Sequence, residues 1–396
     1  MNLMYDAIKD KKQLLLDDLI LHLGDLFPLL YDYKSTPQDS IWHAEGDIHI
    51  HTNMVLTELY KLDEYQKCNP DDKVTLILSA LFHDIAKPLV TKESFVEREN
   101  RECVISPKHE IMGRDYLAYK LLELNLKSEI YHNILNLVAF HNIPKLLVVR
   151  NANKGEYIKH IHNINFRCDL MYILEKADML GRICPDQKNQ LDILDEYKMF
   201  CEDYKLMEFG CYSHVPSTIY IRDNGLRLLY ENEIFTLEEA ESKLYNYKNK
   251  GQHSKVVLMC GVPASGKSSI IKECYSDYNI ISLDEIRKEI KDNDYSKTSE
   301  VINIAKERLK QHLRKNENVV YDATNYRKDF RDKIISLCYN YHAYVTIHIV
   351  MKKRNDLLKD NAKRENPVES DYILKQINKF QFPDNSECSN LILTIV

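Results

Sequence analysis

Several absences narrow the class of this chain at once. No apolar run approaches the ~20 residues needed to cross a bilayer. The N-terminal stretch MNLMYDAIKDKKQLLLDDLILHLGDLF has its apolar runs cut by Asp17, Asp18 and Asp25, so it reads as one or two amphipathic helices and not as a signal peptide. No C-x-x-C pair occurs among the ten scattered cysteines. That excludes a disulfide framework and a cysteine zinc site, and points to reduced thiols in the cytoplasm. A strong charge of either sign is missing too: the formal net charge is −6, so any nucleic-acid contact must rest on local basic patches. Internal repeats and low-complexity tracts are absent.

What is present is ample material for globular cores. The chain has 396 residues, 44% hydrophobic and 29% charged, which fits two or three soluble domains. Nine of its fifteen histidines lie between His43 and His162. Up to about residue 210 the apolar residues recur at three and four, as in helices. Clear candidates are 54–62, 74–87, 113–124, 129–141 and 168–180. Beyond the P-loop described below, strand-like and helix-like runs alternate: 279–283, 297–315, 318–322, 330–341, 344–351, 372–380 and 391–396. Such alternation predicts a parallel sheet covered by helices, with functional residues at the C-terminal strand ends. Between the halves, 186–204 reads as a polar-faced helix, 213–230 holds a short strand and 237–247 is helical. The expected plan is a domain over 1–210, a linker region over 211–253 and a second domain over 254–396.

The most specific motif is VVLMCGVPASGKS, which places Gly261, Gly266, Lys267 and Ser268 in G-x-x-x-x-G-K-S spacing directly after an apolar run. A strand feeding a glycine turn and a helix start makes a backbone nest for phosphate. Lys267 is expected to reach the β- and γ-phosphates of ATP or another nucleoside triphosphate, with Ser268 as a Mg²⁺ ligand. Ser265 and Ser269 complete the loop. Further candidates stand at strand ends: Asp284 and Arg287 in SLDEIRKEI, Asp322, Thr324 and Asn325 in VVYDATNYR, and Arg364 in DNAKRENPV.

In the first half, His83 and Asp84 are neighbours at the end of an apolar run, with Lys87 expected on the helix side they share. Asp178 falls on the edge of a stripe that should be buried, where a carboxylate needs a cation. Taken singly, His51 or His109 reads as an ordinary surface or capping histidine. The joint order H…HD…H…H…D, filled by His51, His83–Asp84, His109, His141 and Asp178, resembles the HD superfamily of metal-dependent phosphohydrolases. The wording W-H-x-E-G-D-x-x-x-H-T with H-D-I-A-K-P is similar to the HD domain attached to some bacterial CCA-adding enzymes. That resemblance, over about residues 35–185, implies an all-α fold in which His51, His83, Asp84 and Asp178 hold one divalent metal. His109 and His141 either complete a second metal site or bind substrate phosphate, and Lys87 and Arg182 balance phosphate charge. Imidazole and carboxylate ligands suit Mn, Fe, Co, Ni or Zn.

The second half, about residues 254–396, resembles the 5′-OH polynucleotide kinases: G-x-P-x-S-G-K-S, S-x-D-x-x-R, D-x-T-N and the N-x-x-R-x-x-P-V lid arrive in order. By that resemblance Asp284 is the general base toward a 5′-OH, Arg287 holds the acceptor phosphate and Arg364 stabilises the transferring phosphoryl group. Asp322, Thr324 and Asn325 contribute to substrate binding, and Arg327 and Arg331, four apart on a helix, are expected to add phosphate contacts. The combination resembles the bacterial HD-domain polynucleotide kinases, RNA end-healing enzymes. It implies 5′-OH phosphorylation together with removal of a 2′,3′-cyclic or terminal phosphate, on RNA or DNA ends, with an RNA ligase as a downstream partner. Two other readings stay open: a kinase and nucleotidase of small nucleotides or nucleosides, and a nucleotide-sensing regulatory module.

Overall fold

The computed structural model describes residues 2–152, 154–203, 253–291 and 296–396. The chain divides into two compact units, Met1–Cys211 and Tyr212–Val396. The expected linker, strand and helix between residues 211 and 252 lie outside the described residues.

The first unit is helical. Its elements are α1 (Asn2–Lys9), α2 (Leu16–Leu23), a 3₁₀ turn (Pro28–Ser35), α3 (Ile48–Lys61), α4 (Asp63–Lys67), α5 (Pro70–Phe82) and α6 (Lys87–Val90). After a hairpin of β1 (Lys92–Val96) and β2 (Arg101–Ile105) come α7 (His109–Lys120), α8 (Ser128–Phe140), α9 (Ile143–Val149), α10 (Lys154–Asn163), α11 (Cys168–Leu180) and α12 (Gln187–Asp203). α5 is capped by Asn69, whose side chain accepts from Asp72 N at 2.9 Å, and carries Pro70 in its first turn. Every residue from Val74 to Phe82 is buried. A helix apolar all round belongs at the centre of a bundle, and α3, α8 and α11 pack against it. Each fully buried Leu or Ile there contributes about 1.5–3 kcal/mol.

The pattern overran this helix. α5 ends at Phe82, five residues before the expected end at residue 87. Tighter turns follow, with Ile85 N donating to Phe82 O and Lys87 N to Asp84 O. Pro88 cannot extend a helix through its own position, and the chain starts α6 afresh.

The second unit is an α/β layer built on β3 (Lys255–Cys260), α13 (Lys267–Cys274), β4 (Asn279–Ser282), α14 (Leu283–Glu289), α15 (Thr298–Arg314), β5 (Val319–Asp322), α16 (Lys328–Asn340), β6 (Tyr344–Met351), α17 (Arg354–Ala362), α18 (Ser370–Asn378) and β7 (Asn390–Ile395). The five strands are parallel, in the order β4-β5-β3-β6-β7. Val256 to Cys260 is buried without a break, as expected of a strand covered on both faces. From β3 the chain crosses over to β4, while β6 pairs on the other side of β3. This reversal opens a crevice at the strand's C-terminal end, the usual ligand position in such sheets.

Candidate functional site

In the first unit, four helices and one turn bring the histidines together. Asp47 caps α3 by accepting from Ile50 N at 2.8 Å, and His51 faces inward one turn later. His49, two residues earlier, lies on the opposite side of the helix and pairs with Asp17 at 2.9 Å. Gly181, just after α11, lets that helix touch α3: a Cβ there would sit 2.6 Å from Val55 N. Asp178 is thereby brought to His51, with Oδ1 3.0 Å from Nε2. His83 and His141 stand at the C-terminal ends of α5 and α8. His109 opens α7.

The orientation of three imidazoles follows from backbone carbonyls. His83 Nδ1 donates to Ala80 O at 2.8 Å, and His141 Nδ1 to Val138 O at 2.8 Å. Both acceptors are last-turn carbonyls with no partner along the helix. His109 Nδ1 donates to Ser106 O at 2.7 Å. A carbonyl only accepts, so Nδ1 carries the proton and Nε2 keeps its lone pair for a ligand. His51 Nδ1 faces Glu45 Oε1 at 2.9 Å, and the same oxygen meets His43 Nδ1 at 2.9 Å.

Four ligand atoms then converge. His51 Nε2 lies 3.3 Å from His83 Nε2 and 3.8 Å from Asp84 Oδ2. His83 Nε2 is 3.3 Å from Asp84 Oδ2 and 3.9 Å from Asp178 Oδ1. Two imidazole lone pairs facing each other repel unless a cation lies between them. An ion bonded at ~2.0–2.2 Å spaces its ligands by roughly 3.0–3.6 Å, close to these separations. The residues present therefore fit a divalent metal held by His51, His83, Asp84 and Asp178. A second group, Asp84, His109 and His141, is also close enough to share an ion, with His109 Nε2 3.1 Å from Asp84 Oδ1.

Electrostatics favour the ionised carboxylates and a neutral His141. Burial alone would raise Asp84 and Asp178, but their neighbours hold both well below the usual carboxylate range: His83 and Lys87 for the first, Arg182 and then the His51 ring for the second. Burial pushes His141 down to about 3, helped by His109 and His83. His43 falls to about 3 by burial and then by Arg182 and Lys87. His83 moves up because Asp84 and Asp178 outweigh its burial. A cavity of about 240 Å³ opens beside these groups, with Lys87 and Arg182 in its wall. Lys87 Nζ bridges Asp84 Oδ2 at 2.7 Å and Gln38 Oε1 at 2.6 Å. Arg182 Nη2 meets Asp178 at 2.7 and 3.0 Å.

Three partners were not foreseen: Gln38, Lys145 and Glu175. Lys145 Nζ lies 3.2 Å from the fully buried Glu175 and 3.7 Å from Asp178. Glu175 was legible in principle, because it precedes Asp178 by three on the same buried stripe.

In the second unit the loop after β3 is tight. A Cβ at Gly261 would lie 2.4 Å from Val350 O, and Gly266 sits at φ +101°. Ala264 also adopts a positive φ of 63°. Ser265 is fully buried with no hydrogen bond to its Oγ. Lys267 Nζ reaches back to the carbonyls of Gly261 and Val262 at 2.8 and 2.9 Å, and burial lowers its pKa, with Asp322 opposing. Ser268 and Ser269 are exposed at the head of α13. The nest, the lysine and the open hydroxyl fit a nucleoside triphosphate with its Mg²⁺.

The remaining residues separate into those that face this crevice and those that build it. Asp284, at the head of α14, accepts from Arg287 Nη1 at 2.8 Å. Burial raises Asp322, opposed by Lys267, while Asp284 raises it further and Arg364 lowers it. Arg364 is exposed on a loop closed by Asn361, whose side chain binds Val368 O at 2.6 Å and Val368 N at 3.0 Å. Thr324 O accepts from Gly261 N at 2.9 Å. Asn325 is buried, its Nδ2 on Met259 O at 2.8 Å, so it pins β5 to β3. Arg331 corrects the expectation of a phosphate contact. It is fully buried, gripping Glu387 at 2.7 and 2.9 Å and two carbonyls besides. Arg327 precedes α16 and pairs with Asp329 at 2.9 and 3.0 Å.

Comparison with known proteins bears on both units. A family described as "HD domain" matches residues 48–163, and one described as "AAA domain" matches residues 256–383. Asp178 lies beyond the first segment, so distance alone places it with the cluster. The chain is 27% identical over 146 residues to the "Multifunctional CCA protein" of Mannheimia succiniciproducens, covering 36% of this chain and 34% of that protein. It thus spans about a third of that relative's length. Among solved structures, a gluconokinase from Sinorhizobium meliloti 1021 aligns at 18% identity with a TM-score of 0.27, over 37% of this chain and 85% of that one. The first unit thus contains an HD-type domain with clustered metal-ligand residues, and the second a P-loop, AAA-like domain. No helix among the described residues is long and apolar enough to cross a membrane.

Proposed function

We propose that the chain heals broken nucleic-acid ends, with a phosphohydrolase domain over residues 1–210 and a polynucleotide kinase domain over 254–396. One observation carries the reading: a ligand cage of oriented imidazoles beside Lys87 and Arg182 shares a chain with a P-loop facing Asp284, Arg287, Asp322 and Arg364. Both centres are equipped for phosphate. Ribonuclease cleavage of RNA leaves the two end defects that such a pair can repair, a 5′-OH and a 2′,3′-cyclic phosphate.

At the kinase centre Lys267 and the loop amides hold the donor phosphates of ATP. Asp284 takes the proton of the 5′-OH as its oxygen attacks the γ-phosphorus in line, and ADP departs. Arg287, already bound to Asp284, holds the acceptor's phosphate, and Arg364 offsets charge on the transferring group. Such positioning and cationic support supply most of the acceleration in phosphoryl transfer.

At the other centre His51, His83, Asp84 and Asp178 would hold a divalent ion such as Mn²⁺, Ni²⁺, Co²⁺, Fe²⁺ or Zn²⁺, which when bound would activate water and polarise a phosphoryl oxygen. Lys87 and Arg182 bind and orient the phosphate from the cavity wall. His109 and His141, with Asp84, would serve as further ligands. The product is a 3′ end free of cyclic or terminal phosphate, and an RNA ligase is the fitting consumer of both ends.

The test is one incubation. An oligonucleotide with a 5′-OH and a 2′,3′-cyclic phosphate is mixed with the protein, ATP, Mg²⁺ and Mn²⁺, and both ends are identified by mass. A new 5′-phosphate and loss of the cyclic phosphate are expected. Unchanged ends, with phosphorylation of free nucleosides instead, overturn the reading.

A further inference from the structure

The second unit has a further concavity apart from the phosphate nest. A groove of about 830 Å³ opens between α14, α15, α16 and the start of α18, beside the ends of β4 and β5. Thr324 and Asn325 form part of its inner wall, and Arg287 stands at the same end. Arg287 is bonded to Asp284, so the groove leads outward from the position assigned above to the reacting hydroxyl. It is where the body of the acceptor must lie.

Its lining identifies the chemistry of that acceptor. Four aromatic residues line it together with Lys306 and Lys333; Tyr321 is buried, which leaves Tyr326, Phe330 and Tyr372 toward the opening. Phe330 and Tyr372 remain 39% and 50% exposed. Tyr326 meets Phe330 edge to face, with centroids 5.9 Å apart at 85°, and the Arg327 guanidinium lies 4.9 Å from the Phe330 ring. A nucleobase has a π-face, and exposed rings flanked by cations are the standard platform for one base and its phosphates. Among the lining residues Glu369 is the one carboxylate, against Arg287, Lys306 and Lys333, so the balance favours a polyanion.

We infer that Tyr326, Phe330 and Tyr372 form a stacking platform for the unpaired base of the terminal nucleotide. The kinase then requires a base at the 5′ end but tolerates any base, because stacking reads a face and not an edge. This inference rests on the end-healing reading.

The experiment compares single-stranded 5′-OH oligonucleotides that differ only in whether the first residue carries a base. For the unaltered protein, removing the base is expected to raise KM by about tenfold or more, with KM for ATP unchanged. Tyr372→Ala and Phe330→Ala are expected to raise KM for the normal oligonucleotide by a similar factor and to erase the difference between the two substrates. Tyr372→Phe should retain it. Equal KM values for the two substrates with the unaltered protein overturn the inference, and this comparison stands even where an alanine variant fails to fold. Absence of phosphorylation on every 5′-OH nucleic acid overturns the underlying reading instead.

Discussion

Glu45 reaches no ligand position itself, yet a single oxygen of it faces both His43 and His51. Its other oxygen accepts from Ile183 N at 2.9 Å. A carboxylate behind a metal-binding imidazole sets its tautomer and orientation. Glu45→Gln removes the charge and turns one of the two accepting oxygens into an NH₂ that faces an N–H donor, so metal content after dialysis is expected to fall about tenfold or more, as measured by elemental analysis. Two other histidines bear on acid stability. Burial pushes His160 down to about 3 and His348 down to about 4. The folded chain therefore favours their neutral forms, while the unfolded chain protonates near pH 6.5. Their contribution is complete above that pH and is lost as pH falls from about 6.5 toward these values, on the order of 2 kcal/mol each. His348→Gln should show a smaller drop in urea midpoint between pH 7 and pH 4.5 than the unaltered chain. At this scale the ligand types were legible and their partners only partly so. His51 and His49 differ by which helix face is buried. The roles of Arg331 and Asn325 depended on Glu387 and Met259, far away in sequence and invisible to local pattern.

Element boundaries tell a related story for the hairpin of β1 and β2, which the sequence did not mark. KESFV and RECVI are short and charged, and their apolar members do not alternate cleanly. Tertiary contacts hold them: Arg101 clasps Asp39 at 2.6 and 2.9 Å, and Trp42 Nε1 donates to Glu99 at 2.8 Å. Arg101 is the main reason that the Asp39 carboxyl lies well below its usual range. The pairing thus stands above the ordinary carboxylate pKa and is lost as pH falls through the depressed value. Val104 and Ser106 of this segment line the cavity of the first unit, and Arg101→Ala is expected to speed amide exchange at residues 92–105 at pH 7 and leave α5 protected. The turn from β3 to α13 is the opposite case, legible because a phosphate nest needs glycine at fixed spacing. A methyl on Gly261 would press on Val350 O of β6 at 2.4 Å. Gly261→Ala is therefore expected to weaken ATP binding at least tenfold by calorimetry and to destabilise the unit by about 1–3 kcal/mol.

On the scale of the whole chain, the two proposed phosphate centres fall in separate compact units. They differ in how local their information is. The nucleotide cradle is contiguous, one strand end and one helix start, and so can be read from thirteen residues. The ion cage takes its members from α3, α5, α7, α8 and α11, so only the order of residue types was visible, and the geometry had to come from packing. Separate units imply separable chemistry. Asp84 meets His83, His109 and Lys87 within the first unit, and Lys267 binds its own loop within the second. Asp84→Ala is expected to cut removal of the 2′,3′-cyclic phosphate by about a hundredfold or more while 5′ phosphorylation continues. Lys267→Ala should do the reverse, since losing one preorganised charge at a transferring phosphoryl group costs roughly 10²–10³ in rate. Measuring both ends of one oligonucleotide with each variant decides the matter. If either substitution abolished both activities with both units still folded, the two centres would be parts of one site, and the end-healing scheme of two independent repairs would fall.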